Sequence, residues 1–389
     1  MMGKFNSALV QRERLLPGIH GLRGVAALAI MLFHLVHIGG ISPPNVFQFI
    51  GRDFGYGVHL FFILSAFSLM HSTEPRMSEP DWLPAYFIKR LFRIAPLFYF
   101  MIAVFVAFRL LPGAGLKDRL IGIVLNLTFT FGFVPSSGIV WGGWSVGVEM
   151  IFYGVFPVVL LLVRTLRSAF TLLIISIVVS SALRSVLHFQ YTNADPSARF
   201  DWSYFSFSPN MCFFAMGIYV YLLNKFYSGH KPLLSLYARI VAIVIIGSLL
   251  CFDFGALLKN SGRFDIVLWG IGLSALCAWQ SLRPSVAIGS YPLEYLGERS
   301  FSIYLLHPVI VFYSKDYLLK VYNACSSIIG SYSYFICASL LLIMILVVAE
   351  FTYRFIEVPG INFGRRLIVS RKSQIVRGPL NLAVNEHRT

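Results

Sequence analysis

Ten times between residues 22 and 356 the chain runs apolar for close to twenty residues: about 22–40, 54–72, 94–111, 146–163, 169–188, 206–224, 236–252, 264–282, 300–319 and 333–356. Crossing ~30 Å of hydrocarbon takes about 20 residues of helix. Lipid offers no hydrogen bonds, so each crossing must satisfy its backbone internally, as a helix does. Only 13% of the 389 residues are charged and 57% are hydrophobic, against about 25% charged in soluble domains. The fold class that follows is an all-α integral membrane protein with about ten transmembrane helices. Aromatic residues, at 16%, suit lipid contact and interfacial belts. The first run follows basic residues as a signal peptide would, but it is too long for that and no cleavage site follows, so it reads as a retained span.

An eleventh run, 120–134, is shorter and leads into the uncharged stretch PSSGIVWGGW (135–144). Charge decides how to count it. Lys4, Arg12 and Arg14 precede the first span, and Arg365, Arg366, Arg371, Lys372, Arg377 and Arg388 follow the last. Basic flanks stay in the cytoplasm, so both termini are expected there and the number of crossings is even. If 120–134 dips in and returns, Arg164/Arg167 and Lys225/Lys231/Arg239 also fall inside, and the loop 189–205 with Asp195 and Asp201 faces out. The expectation is ten spans plus one re-entrant or partial segment, whose backbone must be shielded by protein. It divides the chain into a cytoplasmic N-terminal segment (1–20), a membrane domain (21–358) and a basic cytoplasmic tail (359–389). The net charge of +15 is accounted for by these flanks and loops, and no nucleic-acid partner is expected.

Polar residues inside apolar runs mark function or pairing. In GLRGVAALAIMLFHL (21–35), Arg23 and His34 stand eleven residues apart. That is about three helical turns, so they share one face ~16 Å apart, with His37 one turn further on. An arginine at that end also serves as an orientation anchor, and a lone histidine also serves as a bond between helices; together on one face they point to a ligand pathway. His59 lies near the outer start of the second span. KRLFR (89–93) precedes the third, with Arg90 and Arg93 one turn apart, an inside anchor or a fork for phosphate. Glu149 in WSVGVEMIFY (144–153) is a carboxylate early in a span. His307 in SFSIYLLHPVI (300–310) is a further buried imidazole candidate, or a hydrogen bond that stabilises a kink at Pro308.

These stretches resemble the integral-membrane acyltransferase-3 family over roughly 15–358. Arg23-x10-His34 is similar to its R/K-x10-H signature, and FFILSAF (61–67) to its F-F-x-x-S-G-F segment, with Ala66 in place of the usual glycine. Arg90-x-x-Arg93 resembles its R-x-x-R element, WSVGVEMIFY its W-S-L-x-x-E-x-x-F-Y block, and LGERSFSIYLLHP (296–308) its late L-G-x-x-S-Y-x-x-Y-L-x-H-P block. The resemblance implies transfer of an acyl group, usually acetyl from acetyl-CoA, to a hydroxyl of a cell-surface polysaccharide or glycolipid in the bacterial inner membrane. Some relatives carry a fused SGNH esterase-like domain. None is visible here, so the membrane domain is expected to do the reaction or to pass the acyl group to a partner.

On that reading His34 is the general base or an acyl-accepting nucleophile, and Glu149 orients an imidazole or assists proton transfer. Arg23, Arg90 and Arg93 hold the polyanionic acyl-CoA at a cytoplasmic mouth. His59, Ser65, Trp144, Tyr153 and His307 line the cavity or its acceptor side. The partners are the acyl-CoA co-substrate, a glycan or lipid-linked sugar acceptor arriving from the outer side, and membrane lipids. No cofactor and no metal is expected. The five cysteines (Cys212, Cys251, Cys277, Cys325, Cys337) are scattered and odd in number, which gives no disulfide framework or metal site. The rival reading is a proton-coupled transporter or flippase, since buried His, Arg and Glu also build proton relays. Transporters often show internal repeats, and none is visible. No H-E-x-x-H, Walker A or G-x-G-x-x-G signature points to another enzyme class.

Overall fold

The computed structural model describes residues 16–108, 115–194, 201–253 and 265–386. Lys4, Arg12, Arg14, Asp195 and Arg388 lie outside them, as do the end of the third apolar run and the first residue of the eighth. Among the described residues every regular element is helical. The long helices are α1 (Pro17–His37), α2 (Gly57–Thr73) and α3 (Trp82–Ala107), then, after a short α4 (Leu116–Leu127), α5 (Trp144–Leu162), α6 (Leu166–Asn193), α7 (Phe207–Phe226), α8 (Lys231–Cys251) and α9 (Asp265–Leu282). A short α10 (Tyr291–Glu298) precedes α11 (Ser300–Ile329), α12 (Ser333–Thr352) and α13 (Val358–Glu386). Nine described segments are long and apolar enough to cross a membrane. The ninth, Ser300–Lys372, contains both α11 and α12, which fold back on each other across the turn Gly330–Tyr332. Counting those two helices separately gives ten crossing lengths, as the sequence pattern predicts.

Helix α4 behaves as the partial segment expected at 120–134. Its 12 residues extend about 18 Å, well short of a bilayer's hydrocarbon. The chain then reverses through Phe129, which takes φ 60°, into a short helical turn at Thr130–Phe133. Asn126, fully buried, pins the return. Its amide nitrogen donates to the carbonyls of Gly122 and Ser137, both at 2.8 Å, and its oxygen accepts from Ile139 N at 3.2 Å. That satisfies non-helical backbone that lipid would leave unpaired. One helix starts earlier than its apolar run suggests. Helix α3 begins at Trp82, so KRLFR lies inside it, and Arg90 and Arg93 stand two to three turns beyond the helix start.

Backbones approach closely where side chains are missing. α10 lies across α1, and a side-chain carbon at Gly297 would fall 1.9 Å from the His20 carbonyl oxygen. Small residues permit this contact, as they do in membrane helix pairs generally. The contact between α2 and α7 has the same origin. Ala66 stands where the family pattern has glycine, and it faces Gly217, where a side-chain carbon would meet Ala66 Cβ at 2.9 Å and the Ile63 carbonyl oxygen at 2.2 Å. The room given up at 66 is therefore supplied by the partner helix. After Thr352 a π-helical turn, Tyr353–Glu357, leads into α13, which packs along α3. Arg371 pairs with Asp81 and Lys372 with Glu79, and Lys372 holds the Glu79 carboxyl below its ordinary range.

A bulky residue at Gly297 must force α10 off α1. Gly297→Val is expected to cost about 1–3 kcal/mol or more by overpacking and to lower the melting temperature of the detergent-purified protein. Gly154, which has open space around it, serves as the control, and Gly154→Ala is expected to leave that temperature unchanged or raised.

Candidate active site

Helix periodicity lines up three residues of α5, Ser145, Glu149 and Tyr153, on one face at spacings of four. α2 contributes Ser65 and Ser68, α3 Arg90 and Arg93, α1 Arg23 and His34, and α11 Tyr304 and His307. These side chains form a polar seam running between the helices.

At one end of the seam are two imidazoles. His307 Nε2 lies 3.0 Å from His34 Nδ1. Each ring also faces the carbonyl one turn back on its own helix, His34 Nδ1 to Ile30 O at 3.0 Å and His307 Nδ1 to Ile303 O at 3.2 Å. His307 is fully buried, while His34 is partly exposed. One turn before His307, the Tyr304 hydroxyl donates to the Gly142 carbonyl at 2.8 Å and bonds Ser145 Oγ at 2.7 Å. The returning segment after α4 thus supplies part of the wall beside the histidines.

Further along the seam, Glu149 Oε1 accepts from Ser65 Oγ at 2.5 Å and from the Tyr153 hydroxyl at 2.6 Å. Arg23 lies within electrostatic reach of Glu149, Tyr153, Arg90 and Arg93, and Arg93 within reach of Glu149 and Tyr153. Arg23 Nη2 donates to Ser68 Oγ at 3.1 Å, and Arg90 sits 5.9 Å over the Tyr153 ring. The Arg90 Nε is buried with no hydrogen-bond partner among the described residues. Arg93 forms an ion pair with Glu357, whose second oxygen accepts from Ser302 Oγ at 2.9 Å. Three guanidinium groups therefore face two carboxylates.

Of the residues singled out in the sequence, the structure brings Arg23, Arg90, Arg93, Glu149, Ser65 and Tyr153 together at one level of the seam, and His34 with His307 at another. The partner of the His34 ring is His307; Glu149 is held at the arginine level by Ser65 and Tyr153. His59 and Trp144 form a third group around Tyr204, with ring centroids 5.6 and 5.3 Å from it. His59 is fully buried and lies 4.4 Å from the Phe213 ring. Sequence reasoning missed Tyr304, Ser145, Ser68 and Glu357. The first two carried a legible signal, since Tyr304 is one turn from His307 and Ser145 one turn from Glu149. Glu357 sits at the edge of the last apolar run, where a carboxylate reads as the start of the solvated tail.

The arrangement is thus a pair of imidazoles, one buried and one partly exposed, joined by a seam to an excess of guanidinium inside a helical membrane bundle. Residues 16–349 match the family model of the acyltransferase domain, most of the chain, and the chain belongs to that acyltransferase-3 family. It is 27% identical to the O-acetyltransferase OatA of Staphylococcus aureus (strain MRSA252), over 94% of this chain and 60% of that protein. A putative O-acetyltransferase of the same strain is 26% identical over the same shares. OatA of S. aureus (strain NCTC 8325 / PS 47) is 28% identical over 89% of this chain and 57% of its own length. The chain thus spans about 60% of the length of the curated relatives it matches. No solved structure matches it.

Removing one member of a buried pair strands the other charge, at about 3–5 kcal/mol. Glu357→Leu is expected to lower thermal stability in detergent by about that amount. The double variant Arg93→Met with Glu357→Leu is expected to recover most of the loss, because neither charge is then left alone.

Proposed function

We propose that this chain is an O-acyltransferase that moves an acetyl group from acetyl-CoA to a sugar hydroxyl of a surface polysaccharide or glycolipid. The observation that carries the reading is the seam itself, with imidazoles at one end and uncompensated guanidinium at the other. Three arginines against two carboxylates leave a net positive charge inside the bundle, where an unpaired charge costs several kcal/mol. A polyanionic donor relieves that cost, and the partnerless Arg90 Nε is a donor group ready for a phosphate oxygen. At the same end of the bundle lies a cleft of about 660 Å³ lined by Glu74, Trp82, Arg164, Tyr221 and Lys225, among others. Trp82, Tyr86 and Arg90 follow one another at spacings of four along α3, so one helix face leads from this cleft to Arg90. The donor's nucleotide end fits the cleft and its acyl arm the seam.

His34 then acts on the acceptor. The sugar hydroxyl oxygen forms a bond to the thioester carbonyl carbon while its proton passes to His34 Nε2. The carbon–sulfur bond breaks, and the leaving thiolate takes that proton from the imidazolium. General-base catalysis of this kind is typically worth about 10²–10⁴-fold. Glu149, held by Ser65 and Tyr153, keeps the arginine cluster in place for the donor.

The first test is acetyl-CoA turnover by detergent-purified protein with membrane glycans added, comparing wild type with His34→Ala. Wild type is expected to add one acetyl mass to a glycan, and the variant to lose about 10²-fold or more. Equal turnover in both would sink the assignment, and no turnover in a folded wild type would favour transport. Arg90→Ala is expected to raise KM for acetyl-CoA by about 10–100-fold, the worth of a charge-assisted hydrogen bond, with kcat little changed.

Orientation has its own test. The basic flanks support a reading in which the chain sits in a bacterial inner membrane with both termini on the cytoplasmic side. A cysteine at exposed Val46 is then expected to react with an impermeant maleimide on intact spheroplasts. A cysteine at exposed Val286 should react only after permeabilisation, in a background lacking Cys251 and Cys325. The reverse pattern would overturn the sidedness.

A further inference from the structure

His307 takes no part in the bonds that change on the proposed reading, yet it lies against His34, the residue that would act as the base. The hydrogen positions between the two rings follow from their surroundings. His307 Nδ1 faces the carbonyl oxygen of Ile303 at 3.2 Å. A carbonyl oxygen only accepts, so Nδ1 of this ring carries the hydrogen. A neutral His307 then presents a lone pair at Nε2, 3.0 Å from His34 Nδ1. His34 Nδ1 also faces the Ile30 carbonyl oxygen at 3.0 Å. Both neighbours of that atom accept, so His34 Nδ1 must donate, and its hydrogen is shared between them. Its Nε2 is left as a lone pair, the form a general base needs. In the opposite tautomers, lone pairs would face carbonyl oxygens at both rings. Among the described residues no carboxylate forms a hydrogen bond or ion pair with either ring, so the lock is made by one imidazole and two backbone carbonyls.

We propose that His307 is a positioning residue. It fixes His34 in the tautomer with hydrogen on Nδ1, and once Nε2 has taken the acceptor's proton it accepts the hydrogen bond of the resulting imidazolium. The inference rests on the reading of His34 as the base and adds to it the residue that sets its tautomer. No atom of His307 joins the bonds that form or break. The proton arrives at His34 Nε2 and leaves from it, while the Nδ1 hydrogen stays on His34 throughout. A ring partner of this kind plays the part that a carboxylate or carbonyl commonly plays for a working histidine.

The test uses the full chain in nanodiscs with three proteins: wild type, His307→Leu and His307→Gln. Gln carries an oxygen near the position of the imidazole Nε2 and can accept from His34 Nδ1; Leu keeps apolar volume and cannot. Acetyl transfer from acetyl-CoA is measured together with ¹⁵N NMR of histidine-labelled protein, the His34 signals being assigned by their loss in His34→Gln. The expected result is a kcat lower by about 10–100-fold in His307→Leu, the usual worth of an orienting partner. His307→Gln should recover most of it, with KM for acetyl-CoA unchanged in both. The NMR should show His34 wholly in the Nδ1–H form in wild type and His307→Gln, and mixed in His307→Leu. The proposal is overturned if His307→Leu retains kcat within about twofold. It is also overturned if Leu and Gln are equally impaired while His34 stays in the Nδ1–H form, which would leave His307 a packing role. Should His34→Gln transfer acetyl as well as wild type, the base assignment fails instead, and the NMR still decides the lock: His34 carrying its hydrogen on Nε2 in wild type would refute it.

Discussion

A guanidinium inside hydrocarbon persists only where something of opposite sign or a polar surface receives it, and Arg93 is received by Glu357. That one requirement shapes a large part of the bundle. Glu357 sits at the end of the π-helical turn Tyr353–Glu357, and such turns swing a side chain away from its regular α-helical bearing. From there α13 continues down the side of α3, tied by Arg371 to Asp81 and by Lys372 to Glu79. Ser302 holds the other carboxylate oxygen, so α11 is fixed in rotation by the same pair. Once α11 is fixed, His307 faces His34. The ion pair and the imidazole pair are thus linked through one helix, and of the remaining two arginines, facing Glu149 alone, one charge stays in excess.

The partial segment has a consequence of the same kind. Had 120–134 crossed the bilayer, the chain would have re-entered as an ordinary span beginning at the interface. Because it turns back inside, α5 begins among the helices, and the Gly142 carbonyl and the Ser145 hydroxyl reach Tyr304. Irregular backbone at that depth is tolerated where protein satisfies it, which Asn126 does on one side and Tyr304 on the other. The polar wall beside the histidines is built from backbone that a regular helix could not have offered.

Much of this was legible in the sequence, and the limit is physical. Spans follow from hydropathy alone, and the even count follows from where Arg164, Lys225 and the tail arginines fall. Periodicity within one helix put Arg23 and His34 on a common face. What no single helix reveals is depth and rotation relative to its neighbours. His34 and His307 stand 273 residues apart in sequence, and nothing in either stretch says that the two rings meet. The apolar run of the third span masked the true start of α3, so KRLFR read as a flank when its arginines lie inside the helix. The substitution at Ala66 read as a departure, because the compensating Gly217 is on another helix.

The spacing along α1 separates two tasks. Arg23 and His34 are ~16 Å apart, so no small group could touch both, while a long flexible arm carrying a thioester could. On the proposed reading the arginines grip the part of the donor that does not change during the reaction, and that binding contributes equally to ground and transition states. His34 meets only the atoms whose bonds change. Such a division lets one scaffold keep its donor grip while the acceptor side varies, and the acceptor side here is walled by aromatic residues and by the returning segment. It also explains why a histidine, rather than a carboxylate, partners His34. A second charge beside the base would have to be desolvated in the bundle at several kcal/mol, whereas a neutral imidazole anchored on a carbonyl sets the tautomer without one.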